Sequence, residues 1–395
     1  MSTYINTPAG SGTDNTKCTI SFWLKQTHNQ GSTSPYLFSG GDGPNNNFWI
    51  RLQSDGRLYL RNRTSGGNDC VKTTNLRLRD FSAWYHLCFE LDSTQSTAAD
   101  RNKIWINGVL QTSFDSNTNM TQNNLWHCYG STVSHIGKRV NDGSSGTLGQ
   151  FNMSHFHYID GTAYDASYFG STDSTTGEWK INTSPNVTYG TRGFFILKDG
   201  NSVTDESPNS NNCTVAGGTL TKTEDCPSNV FATLNFLYNS GGTVTYSNGN
   251  NTFNEGDNQW KTTFSTLGAS SGKYYAEFKC GGNYAMIGVA DYNVTKSGTA
   301  DRNFSSTTII SEQGYGIYNG NGDLYYRGSS TSYADTYGNG DIIGVALDCD
   351  NNKVFFSKNG TWQNSADPTS SGTGFSMTAT NATYVFALAV QTNPT

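Results

Sequence analysis

Three sets of side chains in this chain have types and spacings that could do chemistry. Glu90 and Asp92 alternate on a predicted strand, so both carboxylates could face one cleft, and glycoside hydrolysis needs an acid with a partner carboxylate. His155 and His157 alternate in the same way, and two imidazoles on one strand face could begin a zinc site. Aromatic residues in predicted loops form the third set, because their rings can stack on the apolar faces of sugars.

The histidine pair lacks the rest of a metal site. His135 could lie on a neighbouring strand, but zinc requires a third or fourth ligand and a dry surrounding shell. None of the eight cysteines has a metal-type spacing such as Cys-x-x-Cys with another. We therefore interpret His155 and His157 as polar alternation on an exposed strand face.

The loop aromatics have two interpretations, since a sandwich built on aromatic residues also needs them in its core. Neighbouring Gly, Asn and Asp residues favour ligand binding, because such loops lie at the surface. The candidate ligand-binding residues are Trp126 and Tyr129 in the first half of the chain, and Asp291, Tyr292, Tyr318, Tyr333 and Trp362 in the second.

The elements that must position these side chains are predicted to be β-strands. Only 34% of the 395 residues are hydrophobic, but 13% are aromatic, and Tyr, Phe and Trp favour pleated, half-buried surfaces. Gly, Ser, Thr and Asn are abundant, as many short strands joined by tight turns require. No apolar repeat at helical spacing is longer than about two turns. The sequence therefore predicts an all-β protein.

The charge pattern argues against nucleic acid as a partner. The net charge is −6 and no basic cluster is present, whereas phosphate neutralisation requires grouped Lys and Arg. The nearest approach is a set of arginines that alternate along predicted strands, which we interpret as a solvated sheet face. This set is Arg57, Arg61, Arg63, Arg77 and Arg79.

Two distant segments have nearly the same hairpin pattern. Residues 84–92 and 342–348 are predicted strands, each followed by a polar reversal, a second strand and an Asn-Gly pair, at 107–108 and 359–360. Asn-Gly is a strong hairpin signal because both turn positions accept positive φ. Turns about every ten residues are typical of jelly-roll sandwiches. We therefore predict two tandem antiparallel β-sandwiches, residues 1–200 and 230–395, with a linker at 201–229.

The cysteines and the first residues predict assembly in a cytoplasm. A chain of this length can bury its cores without disulfides, so reduced thiols are expected. The first residues have neither a basic region nor an apolar stretch, so no signal peptide is expected. No segment approaches the length needed to span a bilayer, which predicts no membrane insertion.

Motifs in each module carry a family resemblance. Phe22-Trp23-Leu24-Lys25, Trp84-Tyr85-His86-Leu87 and Ile104-Trp105-Ile106-Asn107-Gly108 resemble the strands and hairpin of laminin G-like, concanavalin A-like sandwiches. Residues 272–278, 340–348 and 354–360 resemble a SPRY domain. SPRY domains usually have a further strand after the equivalent of residues 384–390. The resemblance therefore implies a fragment of a longer chain, or an open edge with which a partner pairs.

The pairing of these modules, joined through residues 191–195 and 207–212, is similar to virion proteins of tailed phages. It implies a head decoration, fibre or tail component at the particle surface, assembled in the host cytoplasm and bound to other virion proteins. Loops would then bind a host-surface glycan or protein. We expect a homo-oligomer, because weak sugar contacts gain from multivalency.

The same resemblance bears on catalysis and on calcium. Hydrolases of the concanavalin A-like fold carry Glu-x-Asp-x-x-Glu on one strand, whereas residue 95 is Gln here. Without the second carboxylate, no enzymatic activity and no catalytic residue are expected. Laminin G-like modules often hold calcium at a sheet rim, where Asp42 and Asp142 are loop candidates, but no loop has EF-hand spacing. No cofactor is predicted and calcium is left open.

Two alternatives to a virion protein remain at the level of sequence. One is a polysaccharide-degrading enzyme on a concanavalin A-like fold. The other is a secreted glycan-binding module.

Overall fold

The computed structural model describes residues 3–27, 34–128, 134–140, 151–198, 202–238, 243–282, 284–292, 304, 314–326, 328–370, 372–378 and 382–392. The chain divides into two compact units, residues 1–231 and 232–395. Both are built from antiparallel strands, which confirms the predicted fold class of two tandem β-sandwiches.

The strands of the first unit are short and follow one another closely along the chain. In its described residues they are β1 (Tyr4–Asn6), β2 (Lys17–Gln26), β3 (Tyr36–Gly41), β4 (Asn47–Leu52), β5 (Arg57–Thr64), β6 (Gly67–Arg77), β7 (Tyr85–Asp92), β8 (Asn102–Ile106), β9 (Val109–Leu110), β10 (Phe114–Thr118), β11 (His135–Ile136), β12 (Phe151–Asp160), β13 (Gly170–Thr172), β14 (Trp179–Ile181), β15 (Phe194–Ile196) and β16 (Thr214–Gly217). Two 3₁₀ helices lie between them, Ala98–Arg101 and Ala166–Tyr168. The Asp165 carboxylate caps the second, as a short polar side chain does at a helix start.

Two sheets enclose the core of this unit. Sheet I has the order β10-β6-β5-β4-β3-β11-β1-β16, and sheet II has the order β15-β12-β2-β7-β8-β9. Side chains alternate along each strand, so Ile20, Phe22 and Leu24 of β2 meet Phe38, Phe48 and Ile50 of sheet I in the interior. The pair β13 and β14 forms a separate ribbon.

The opposite face of sheet II is also covered, which the sequence did not reveal. Residues 160–195 fold back over it, with Phe169, Tyr189 and Phe195 packed on Cys88 and Ile159.

The expectation of an exposed histidine face is therefore wrong, since His155 and His157 lie on this covered face and are 3% and 2% exposed. His135 lies on β11 of sheet I and is not their neighbour in sheet II. A β-bulge accompanies the pair, because the register of β12 on β2 shifts between Ser154 and His157.

The segment 201–229, predicted as a linker, packs within the first unit. Its strand β16 pairs with β1 at the end of sheet I. Its Asp225 carboxylate accepts a bond from the Lys25 ammonium at 2.6 Å, with both side chains almost fully buried. Trp84 Nε1 and the Phe231 amide also donate to this carboxylate, at 3.2 and 3.0 Å. A low-hydrophobicity segment thus belongs to the sandwich because it supplies the partner of a buried cation.

The second unit is a smaller sandwich. Its described strands are β17 (Val244–Ser247), β18 (Thr252–Glu255), β19 (Lys261–Ala269), β20 (Lys273–Lys279), β21 (Tyr284–Asp291), β22 (Gly314–Tyr318), β23 (Asp323–Tyr326), β24 (Ser329–Ser332), β25 (Ile342–Asp348), β26 (Lys353–Lys358), β27 (Thr361–Trp362), β28 (Phe375–Ser376) and β29 (Tyr384–Gln391). Sheet III has the order β19-β29-β21-β22-β23-β24, and sheet IV has β20-β25-β26-β27 with β28 beside β26.

The final strand of this unit is not an open edge. Strand β29 pairs with β19 on one side and with β21 on the other. The backbone groups of β29 therefore have partners on both sides, and the open edge implied after residues 384–390 is absent from the described part of this sheet.

The two Asn-Gly hairpins form as predicted and share their local geometry. Asn107 and Asn359 have φ of 47° and 49°, and the following glycines also have positive φ. The amide oxygen of Asn107 accepts from the His86 backbone at 2.7 Å, and that of Asn359 accepts from the Ile342 backbone at 2.9 Å. Each turn residue therefore also fixes the start of its hairpin through a side-chain to backbone hydrogen bond.

All eight cysteines are free thiols, and seven of them are buried. No helix among the described residues has the length and apolar character needed to cross a bilayer.

Replacing Asp225 tests whether residues 201–229 belong to the first sandwich. Asp225→Ala removes the carboxylate that pairs with the buried Lys25 ammonium, so we expect the free energy of unfolding to fall by about 3–5 kcal/mol. Its neighbour Glu224 is 79% exposed in a long pair with Lys222, so Glu224→Ala should cost under about 1 kcal/mol. Urea unfolding of both variants provides the comparison, and equal midpoints would support a loose linker instead.

The buried histidines predict acid sensitivity. Burial lowers the pKa of His86 to about 3 and holds the pKa of His157 well below its usual value. Below pH ~6.5 the unfolded chain binds protons that the folded chain does not, so stability present at neutral pH is lost as the pH falls towards 3. The slope is about 1.4 kcal/mol per pH unit for each such histidine.

His86→Gln removes one of these titrations. Between pH 7 and pH 5 we expect the variant to lose about 2 kcal/mol less unfolding free energy than the wild type. Urea titrations at both pH values measure this difference, and identical losses would show that His86 does not titrate on unfolding.

Candidate functional site

The carboxylates on β7 have structural partners. Glu90 accepts from Lys103 Nζ at 3.1 Å and from Trp105 Nε1 at 3.0 Å. Asp92 ends the strand and accepts from Thr94 and Gln95. Burial would raise the pKa of Asp92, but these hydrogen bonds outweigh burial and lower it. Asp92 therefore lacks the raised pKa of a general acid.

The residues considered as metal ligands do not form a common site in the described structure. His155 Nδ1 contacts Ser154 Oγ, and His157 Nδ1 contacts the Tyr189 hydroxyl at 2.8 Å. Across the described residues, three His, Cys, Asp or Glu side chains do not come together as a cluster that could hold a metal. Asp42 is exposed in its loop, and Asp142 lies outside the described residues.

The predicted ligand-binding residues divide by exposure. Trp126 is 2% exposed and packs edge-on against Phe48, while Tyr333 is 6% exposed and packs against Phe356. Both rings therefore pack in a core, which was the second interpretation of the loop aromatics, and are not available to a ligand. Asp291 is buried at the end of β21, and Tyr129 lies outside the described residues. Tyr292, Tyr318 and Trp362 remain at the surface.

Tyr318 belongs to an aromatic cluster on the outer face of sheet III. Its ring centroid lies 6.0–6.2 Å from those of Trp260, Tyr284 and Tyr325. Burial, with Tyr284 and Tyr325 nearby, raises the pKa of the Tyr318 phenol. Sequence reasoning missed the other three rings: Tyr284 and Tyr325 lie on strands, where alternation with core residues was the available signal, and Trp260 directly precedes β19.

Trp362 contributes to a second aromatic surface, on the outer face of sheet IV. Its ring meets Tyr275 edge-on at 6.2 Å, and Tyr275 is 51% exposed. The Tyr275 hydroxyl donates to Glu277 Oε1 at 2.8 Å and lies over Gly344, where a Cβ would clash with it. A glycine at 344 thus allows the tyrosine ring to cross the neighbouring strand and leave one side open to solvent.

The outer face of sheet I in the first unit carries arginines stacked on aromatic rings. Because Phe48, Ile50 and Leu52 point into the core, Trp49 and Arg51 of β4 point away from it. On β5, Tyr59 and Arg61 likewise point outwards, between the core residues Leu58 and Leu60. We call these four side chains, Trp49, Arg51, Tyr59 and Arg61, the cationic face.

Register brings the four residues together in cross-strand pairs. Trp49 lies opposite Arg61, and Arg51 lies opposite Tyr59. The Arg61 guanidinium carbon is 3.3 Å from the centroid of the Trp49 ring, and that of Arg51 is 4.4 Å from the Tyr59 centroid. Arg139 also approaches the Trp49 ring, at 4.4 Å. Such stacking holds a guanidinium in a defined plane.

The electrostatics of the cationic face are those of grouped positive charge. Burial, with Arg63 and Arg139 nearby, lowers the pKa of Arg61 to about 10. Arg61 donates to Asn47 Oδ1 at 2.6 Å, and Arg51 has no polar partner among the described residues. By contrast, Arg57 and Arg77 pair with Asp55 or Asp115. Sequence reasoning singled out Arg61 but missed Trp49, Arg51 and Tyr59, which only the register of β4 and β5 adds.

Family comparisons agree with the two units. Residues 1–157 match the Laminin_G_3 model, described as the concanavalin A-like lectin/glucanases superfamily. Residues 273–387 match the SPRY domain model. No curated protein sequence matches the chain.

Solved structures show similarity at low identity. The SPRY domain of human HERC1 is 20% identical, with a TM-score of 0.29 over 36% of this chain and 82% of that one. A SAP-like pentraxin from Limulus polyphemus is 14% identical, with a TM-score of 0.30 over 54% and 94%.

A third structure is the CBM40 of Ruminococcus gnavus IT-sialidase bound to α2,3-sialyllactose. It is 16% identical, with a TM-score of 0.27 over 35% of this chain and 75% of that one. At these values the likeness carries no inference about function. The family models together identify a laminin G-like, concanavalin A-like domain followed by a SPRY domain in this chain.

Proposed function

We propose that the protein binds carbohydrate and that the cationic face of sheet I is its principal sugar-binding surface. The observation that carries this proposal is the set of guanidinium donors stacked on Trp49 and Tyr59, in the unit that matches a superfamily of lectins and glucanases. Trp49 is 7% exposed and positions Arg61, while Tyr59 is half-buried and has ring area left. Sugars offer apolar faces to aromatic side chains and hydroxyl oxygens to hydrogen-bond donors, so the Tyr59 ring and the neighbouring guanidinium groups suit them.

Stacking also favours affinity. A free arginine loses side-chain freedom when it binds, whereas Arg61 is already confined between the Trp49 ring and Asn47. Each hydrogen bond to a ligand therefore costs less ordering than it would from a solvated arginine.

We propose further that binding is not followed by chemistry and needs no cofactor. The carboxylates Glu90 and Asp92 are bonded to Lys103, Trp105, Thr94 and Gln95, and they lie on sheet II. This arrangement supports a structural use of both groups. Release of reducing ends from a polysaccharide, abolished by Glu90→Gln, would contradict it.

The biological setting that we propose is the surface of a phage particle. Support comes from the sequence resemblance of the module pair, which implies a virion component that assembles in the host cytoplasm as a homo-oligomer, contacts other virion proteins and adheres to the host. Mass spectrometry of purified particles tests this setting. Recovery from the periplasm with oxidised cysteines, and not from particles, would favour a secreted glycan-binding module.

The SPRY unit offers a second candidate surface. Tyr275 and Trp362 present exposed ring area beside the Glu277 carboxylate, and Tyr318 lies in its own aromatic cluster. These surfaces suit a protein or glycan partner that buries aromatic anchors.

Removing Tyr59 tests the sugar-binding surface. We expect Tyr59→Ala to weaken binding of the best glycan on an array by about two- to twelvefold, since a ring contact contributes about 0.5–1.5 kcal/mol. Tyr275→Ala is the matched control, because it removes an exposed tyrosine from the other unit, and EDTA should leave binding unchanged. Loss of binding in Tyr275→Ala with retention in Tyr59→Ala would transfer the site to the SPRY unit.

A further inference from the structure

We propose that the cationic face selects glycans carrying carboxylate groups, and that Arg51 and Arg61 are the residues that bind the carboxylate. This inference rests on the proposed function and names its ligand class. It concerns the charge of the sugar, which glycan binding as such does not specify.

Arg51 and Arg61 lie close to each other on adjacent strands. Arg51 lies opposite Tyr59 and Trp49 lies opposite Arg61, so the two arginines are diagonal neighbours on adjacent strands. Diagonal neighbours in an antiparallel pair are about 7–8 Å apart. This is a backbone spacing, and both side chains are long enough for their guanidinium groups to approach the same acidic sugar or two consecutive ones.

The arginines of sheet I differ in whether a carboxylate lies beside them. Arg57 bonds Asp55 at 2.7 Å and Asp115 at 2.9 Å, and Arg77 lies 3.4 Å from Asp55. Arg51 and Arg61 have no carboxylate within 4 Å among the described residues, although Arg61 is on the same strand as Arg57. Sheet I therefore supplies acidic partners to one pair of arginines and leaves the other pair without them.

Several N–H donors of the cationic face have no acceptor among the described residues. A guanidinium has five N–H groups, and the structure gives Arg61 a single side-chain acceptor, Asn47. The Nε atoms of Arg51 and Arg61 and the Trp49 indole nitrogen are buried without a hydrogen-bond partner. The Nη groups of Arg51 have no hydrogen-bond partner among the described residues and are not buried, so they are the donors that an acceptor from outside the chain can reach.

The shape of the guanidinium group indicates which acceptor fits it best. The guanidinium fork is planar and matches the two oxygens of a carboxylate in a bidentate pair. Arg63 and Arg139 add positive charge around Arg61, which increases the attraction for an anion. The half-buried Tyr59 ring beside Arg51 favours an anion that is carried on a sugar ring over a free inorganic ion.

The test compares one glycan with and without its charge. Isothermal titration calorimetry of the full chain with a hexamer of galacturonic acid, and with its methyl ester, gives the two affinities at low and at physiological salt. We expect the acid to bind at least tenfold more tightly than the ester, because charged hydrogen bonds are the stronger class. This advantage should shrink as salt screens the charges.

The variants Arg51→Gln and Arg61→Gln should each weaken binding of the acid about tenfold or more, and should weaken binding of the ester by a smaller factor, because the ester meets the same donors only through neutral oxygens. Arg77→Gln is the matched control, since it removes the same charge from the same sheet at an ion-paired position and should change affinity less than twofold. Arg61→Lys keeps the charge and loses the fork, so it should also weaken binding. Equal far-UV circular dichroism and melting temperatures confirm that the variants are folded.

The outcomes separate this inference from the proposed function. Equal binding of acid and ester, weakened to the same extent by each Gln variant, would overturn carboxylate selection and leave the proposed sugar-binding surface intact. Arg-dependent binding that is tighter for a sulfated oligosaccharide or for single-stranded DNA would overturn the carboxylate assignment. Failure of the wild type to bind any acidic or neutral glycan on an array would overturn the proposed function itself.

Discussion

Side chains of a β-strand alternate between two faces, and this constraint decides what the protein presents to solvent. Burial of Phe48, Ile50 and Leu52 in the first core requires Trp49 and Arg51 to lie on the outer face of sheet I. The same relation on β5 places Tyr59 and Arg61 beside them. The cationic face is thus a direct consequence of how the core is filled, and a one-residue slip in register would invert it.

The two sheets of the first unit use their outer faces differently. That of sheet II is covered by residues 160–195, which removes water from its polar groups and leaves His86 and His157 neutral. The Lys25–Asp225 pair and the bonds of Glu90 satisfy the charges left there. On sheet I, by contrast, Arg51 and Arg61 stack on aromatic rings, and each guanidinium group keeps N–H donors that have no acceptor among the described residues. Lys25 and Glu90 of sheet II therefore have partners within the protein, whereas Arg51 of sheet I has Nη donors without acceptors among the described residues.

The second unit follows the same alternation with a different result. Its outer faces carry aromatic clusters around Tyr318 and Trp362, and the Glu277 carboxylate accepts a hydrogen bond from Tyr275 beside Trp362. The units therefore differ in surface chemistry although both are sandwiches. This difference suits a protein that contacts one partner through charge and another through aromatic area.

Local features could be predicted from the sequence alone, because they depend on neighbours along the chain. The Asn107-Gly108 and Asn359-Gly360 turns and the Asp165 cap are determined by positive φ and by short side-chain reach. The all-β class follows from composition and from alternation.

Tertiary structure decided what depends on partners distant in sequence. Burial of His155 and His157 needs residues 160–195, and the place of residues 201–229 needs Lys25, two hundred positions away. The cationic face likewise requires the register of β4 on β5, which brings Trp49 and Arg61 together. Solvent exposure and cross-strand pairing are properties of the assembled sheets, so residue type and spacing could indicate candidate arginines and aromatic rings but not which of them share a surface.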